Sequence, residues 1–90
     1  MKHADPAALA ALCDVIENLR RRPVLVEKKL GIFYTKGGAF LHFHNDLTGL
    51  FADLRRGTEW QRFPVNDPEE CTTLLAAVDR VLKEASRRRP

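Results

Sequence analysis

The sequence predicts an α+β two-layer sandwich: an N-terminal helix, an antiparallel meander of four to five strands, and a C-terminal helix, with both helices on one sheet face. Three observations predict it. Apolar residues recur at helical spacing near each end of the chain, each stretch opened by an Asp-Pro pair, Asp5-Pro6 and Asp67-Pro68. Between them apolar residues alternate with others, which is the period of a half-buried strand. Turn signals at Gly37-Gly38, Asp46 to Gly49 and Arg56-Gly57 divide that middle stretch at hairpin intervals. With 90 residues the chain reads as a single domain 1–90, sized to bury roughly 60–65% of its unfolded surface around one core without metal or disulfide staples. Its parts are a helix over about 6–22, a sheet over about 24–65, a helix over about 68–85 and a basic tail at 86–90.

The first helix is expected to start where Asp5 can accept from orphan amides and Pro6 can occupy the first turn without losing a hydrogen bond. Its apolar stripe is Leu9, Leu12, Cys13, Ile16 and Leu19, and Pro23 ends it. Val24 to Glu27 then reads as a short edge strand and Gly31 to Lys36 as a firmer one. A two-residue turn at Gly37-Gly38 sets Tyr34 opposite Leu41 and Phe33 opposite His42, which assigns Ile32, Tyr34, Ala39, Leu41 and Phe43 to the core face. The loop Asp46 to Gly49 pairs Phe43 with Ala52, Leu41 with Leu54, His44 with Phe51 and His42 with Asp53. That register keeps Leu50, Ala52 and Leu54 on the buried side, and a slip of one residue would reverse them all. A last strand, Trp60 to Val65, adds Phe63 and Val65 to the core and leaves Trp60 and Arg62 outside. The second helix opens with Asp67 and Glu70 at capping-box spacing and carries the stripe Cys71, Leu74, Leu75, Val78, Val81, Leu82 and Ala85.

With both helices on one side, the other sheet face has no element left to cover it. In this register it carries Phe33, Phe40, His42, His44, Phe51, Asp53, Trp60 and Arg62. Four large aromatics together seldom stay bare on a monomer, and aromatic residues and arginine are enriched in interface cores. The expected function is an interaction or assembly module acting through this face, a homodimer or a binder of another protein. Were the sheet strongly curled or the face covered by loops, the same rings would form a second small core.

The alternative is a small metal- or ligand-dependent enzyme. His42 and His44, two residues apart on one strand, leave the same face about 7 Å apart, and with Asp53 they would make a two-histidine, one-carboxylate set suited to a divalent transition metal such as zinc or iron. A histidine beside an aspartate is as readily a plain ion pair. No cofactor is otherwise implied, and Ser86, the single serine, has no base beside it. Cys13 and Cys71 fall on helix stripes and read as buried reduced thiols.

Charge argues against nucleic acid as a partner. The formal charge of +3 equals the three arginines at 87–89, so the body is neutral on balance, whereas a nucleic-acid binder normally carries a basic face in the body itself, and Arg20 to Arg22 with the Arg87 tail are the basic residues such a role would use. A nucleic-acid accessory role, with bases stacked on the aromatic face, is therefore the third reading. No apolar run approaches the ~18 residues of a membrane span, and the start Met1 to Pro6 lacks a signal-type apolar segment, so a cytoplasmic protein is expected.

Pro23-Val24 followed by Gly31-x-Phe33-Tyr34-x-Lys36-Gly37-Gly38-x-Phe40 and a second hairpin strand resembles small bacterial α+β proteins of the MmcQ/YjbR kind. The resemblance spans Pro23 to Leu54. It implies a fold linked to frataxin-like helix–sheet–helix sandwiches and assigns no catalytic residue. Where that kind would show Lys-x-His-Trp, this chain has Thr58-Glu59-Trp60-Gln61-Arg62.

Overall fold

A computed structural model describes residues 2–3 and 12–87. Its elements are β1 (Lys2–His3), α1 (Cys13–Arg20), β2 (Val26–Lys29), β3 (Ile32–Thr35), β4 (Gly38–Asp46), β5 (Gly49–Arg56), β6 (Glu59–Pro64) and α2 (Pro68–Arg87). The strands form one antiparallel sheet in the order β2-β3-β4-β5-β6, and β1 pairs with β4, where it sets Lys2 opposite Asn45 and His3 opposite His44. The fold is the expected α+β sandwich, with β1 added. The expected helix start at Asp5-Pro6 and the stripe residue Leu9 lie outside the described residues.

The core is one cluster closed between the sheet and both helices. From α1 and the residue before it come Leu12, Val15, Ile16 and Leu19; from α2, Leu74 and Val78; from the sheet, Leu41, Phe43, Ala52 and Leu54. Each large side chain buried there contributes about 1.5–3 kcal/mol. Leu12, Val15, Ile16 and Leu19 are spaced three and four apart, so they share one helix face. Cys13 falls off that face and is exposed, and Val15 fills the place expected of it. Cys71 is half-buried, with its Sγ 3.9 Å from the Val65 carbonyl, and burial, followed by the nearby Asp67 and Glu70, pushes its thiol pKa up. Just beyond α1 the Arg22 guanidinium reaches across to α2 and bonds both carboxylate oxygens of Asp79, at 2.7 and 2.9 Å, while also donating to the carbonyl and side chain of Asn18 on α1.

The hairpin of β4 and β5 has the expected register throughout: Leu41 faces Leu54, His42 faces Asp53, Phe43 faces Ala52 and His44 faces Phe51. The next pairing sets Phe63 against Ala52 and Arg62 against Asp53, so Phe63 packs on the core while Trp60 and Arg62 face away. Leu50 starts β5 against Asn66, whose side chain accepts from the Leu50 N–H at 2.8 Å and donates to the Leu50 carbonyl at 3.3 Å, as a partner strand would. The approach depends on Gly49, because a Cβ there would come within 2.6 Å of Asn66 Oδ1. Asp67 caps α2 by accepting the Glu70 N–H at 2.8 Å, and the Glu70 carboxylate reaches back to the Asn66 N–H rather than to that of Asp67. The helix runs through Arg87, so it includes the first two residues of the expected tail; 88–90 lie outside the described residues.

The hairpin of β3 and β4 differs from expectation. It turns at Lys36-Gly37, with Thr35 opposite Gly38 and Tyr34 opposite Ala39, and an irregularity then sets Phe33 opposite Leu41 and Ile32 opposite His42. The pairing is two residues out of the expected register at Tyr34 and Thr35 and, past the irregularity, one residue out at Phe33 and Ile32, and Phe33 rather than its neighbours turns inward. Phe33 enters the core at 0% exposure, while Ile32, Tyr34 and Ala39, expected there, are half-buried and alternate away from it. Phe40 is the extra residue on β4. A bulge breaks the alternation of its strand, so Phe40 turns inward beside Leu41 and is 4% exposed.

Candidate functional site

Strand alternation on β4, β5 and β6 gathers His42, His44, Phe51, Asp53, Trp60 and Arg62 on the sheet face turned away from the helices. Asp53, near the middle of β5, is the hub. Arg62 lies directly across from it and donates Nε to Oδ1 at 3.1 Å. His44, one step diagonal to it, brings Nε2 to 3.1 Å from Oδ2, and His42, the direct cross-strand neighbour, brings Nε2 to 3.9 Å from the same oxygen. The diagonal contact is thus the closer one, because the His44 ring lies over Phe51, with centroids 5.9 Å apart, and leans towards Asp53.

These charges shape one another. Burial by itself would push the Asp53 pKa up, but the hydrogen bond from Arg62 and the proximity of His44 outweigh it, and the carboxyl titrates below its usual range. The Arg62 guanidinium is held charged by Asp53 and lies 5.7 Å from the Phe51 ring centre. His44 is 2% exposed, and among the described residues its Nδ1 has no hydrogen-bond partner; its Nε2 is at ion-pair distance from Asp53 but off the line of a hydrogen bond. His42 lies between His44 and Trp60, at ring-centre distances of 5.9 and 5.1 Å. Trp60 is 45% exposed.

Six of the eight residues expected on this face are therefore together. Phe33 and Phe40 are not: both belong to the core, and Ile32 and Tyr34 take the outward positions on β3. As a metal centre the cluster is poorly arranged. Both Nε2 atoms face Oδ2, and Arg62 donates to both carboxylate oxygens, at 3.1 and 3.5 Å, so Asp53 is already neutralised. Among the described residues no group of three or more His, Cys, Asp or Glu side chains is placed to hold a metal ion.

Sequence reasoning missed two features. The first is His3, which the pairing of β1 sets opposite His44; a two-residue strand has no periodicity to reveal it. The second is a groove of about 890 Å³ at the end of the sandwich where β3 turns into β4, with Phe40, Val81 and Leu82 among its apolar lining and Lys36, Arg55 and Arg56 among its cations. Its one signal in the sequence was Gly37, the first glycine of Gly37-Gly38. Gly38 has φ +108°, which a turn requires, but Gly37 does not have a positive φ. A Cβ on Gly37 would come within 2.9 Å of Arg55 Nη2, so the glycine makes room for that guanidinium, which donates to the Gly37 carbonyl at 3.1 Å.

Compared with family models, curated proteins and solved structures, the chain shows no significant match. Among the described residues no helix is long and apolar enough to cross a membrane.

Proposed function

We propose that the chain is a small interaction module that assembles through the sheet face turned away from its helices, with a second copy of itself as the partner. The observation that supports this reading is Trp60, an indole 45% exposed on that face and set against the His42 ring, with Phe51 and Ile32 half-buried nearby. Tryptophan and arginine are the residues that most often anchor an interface, and Trp60 and Arg62 stand side by side on an edge strand. Charge supports the choice of a second copy. Asp53 is neutralised within its own chain by Arg62, so two such faces meet without setting like charges together, and a two-fold dimer uses one patch twice. The Asp53 cluster then has a positioning role: it fixes the rings that the partner touches.

Trp60 emission tests the reading. Dilution through the micromolar range is expected to shift the emission of the wild-type protein to the red as the indole meets water, and Trp60→Phe with Arg62→Glu is expected to remain monomeric. A wild-type spectrum independent of concentration, together with a monomeric mass at the highest concentration, overturns it.

A further inference from the structure

The groove at the β3–β4 turn lies outside the face just discussed and carries an inference that does not depend on it. Apolar side chains from four places line it: Val24 after α1, Val26 on β2, Phe40 at the bulge of β4, and Val81 and Leu82 on α2. Val24 is 58% exposed, and Phe40 is the core residue that the bulge turns towards this end. A concave apolar surface of about 890 Å³ is within the size range of small-molecule sites.

Its charge has one sign. Lys28, Lys36, Arg55 and Arg56 line it against a single acid, Glu84, and Glu84 is paired with Arg56 at 3.3 Å. Lys28 lies over the Tyr34 ring, 4.9 Å from its centre. Arg55 is half-buried and has no carboxylate among the described residues; its contact is the Gly37 carbonyl, which leaves donors of its fork unused. Such a guanidinium, together with Lys36 at the turn, suits a planar carboxylate accepting two parallel hydrogen bonds. The chain's own tail is the wrong occupant, since it continues from Ala85 into Arg87, Arg88 and Arg89 and would add cations to a cationic rim. We infer that this groove binds an aliphatic carboxylate, with the chain along Phe40, Val81 and Leu82 and the carboxylate on Arg55 and Lys36.

Isothermal titration calorimetry with dodecanoate, kept below its micelle concentration, tests the inference. One saturable site is expected on the full chain, with acetate giving no heat of binding and dodecyltrimethylammonium, which has the same chain and the opposite charge, binding at least tenfold more weakly. Arg55→Gln and, separately, Lys36→Gln are each expected to weaken dodecanoate about fivefold or more. Lys36 is an exposed turn residue, so its variant keeps the test valid if loss of Arg55 disturbs the hairpin, and circular dichroism verifies that both remain folded. Leu47→Ser, at the opposite turn, is expected to bind as wild type does. Heats that do not saturate, equal affinity for the two charged amphiphiles, or folded variants with unchanged affinity each overturn the proposal.

Discussion

Asp53 meets three side chains of the outer sheet face, His42, His44 and Arg62, and its surroundings set how it responds to acid. Its folded pKa is depressed, so the stability it contributes is complete above the ordinary aspartate range near ~3.9 and is lost as pH falls through the lower folded value. Asp53→Asn is expected to cost about 1–3 kcal/mol at pH 7, because Arg62 and the buried His44 lose their anionic partner. The deficit should begin to shrink as pH falls below about 4, where the unfolded chain takes up the proton, and close only below the depressed folded value, where the native carboxyl is protonated too. Urea unfolding at both pH values measures it; a deficit that does not change with pH would mean the charge is not what Asp53 supplies. The pairing of Asp53 with His42 was legible because loop length and the burial of Leu41, Phe43, Ala52 and Leu54 admit one register. The closer contact with His44 was not, since it depends on how the ring stacks on Phe51.

Among the elements, the two hairpins flanking β4 show what local sequence can specify. Asp46 accepts from the Thr48 N–H at 2.7 Å and from its hydroxyl at 2.6 Å, so the second turn is fixed by its own side chains. Two adjacent glycines fix nothing of the kind: Gly37-Gly38 is compatible with more than one turn frame, and the bulge at Phe40 has no signature in the alternation that conceals it. The exchange of Phe33 and Phe40 for Ile32 and Tyr34 on the outer face follows from that ambiguity. It has a direct consequence for mutation. Phe40→Asp buries a charge in the core and is expected to unfold the chain at a cost of several kcal/mol, whereas Trp60→Asp should leave stability within about 1 kcal/mol; thermal unfolding compares them. At the start of β5, Gly49→Ala is expected to destabilise by about 2 kcal/mol, since φ +138° disfavours a side chain and the added Cβ would displace Asn66 from Leu50. A loss below about 0.5 kcal/mol would show that the Asn66 bracket is dispensable. The helices were read more reliably, because their stripes repeat over several turns. Cys13 and Ala85 were the misplaced residues, both exposed; Cys13 failed because Val15 completes the three-and-four spacing that Leu12 begins.

For the whole molecule, the described helices pack on one sheet face, and the rings of His42, His44, Phe51 and Trp60 lie on the other. Binary pattern and turn positions were enough to reveal that architecture; the end groove was hidden because it joins residues from β2, β4, β5 and α2 that share no local pattern. The proposed pairing of two outer faces is tested most directly by sedimentation equilibrium of the wild-type chain and of Trp60→Phe with Arg62→Glu, from one to a hundred micromolar. The account predicts that the wild type approaches twice its 10.2 kDa chain mass as concentration rises, while the folded double variant stays at the mass of one chain. A wild type that remains a monomer throughout, or a double variant that associates equally well, would contradict it.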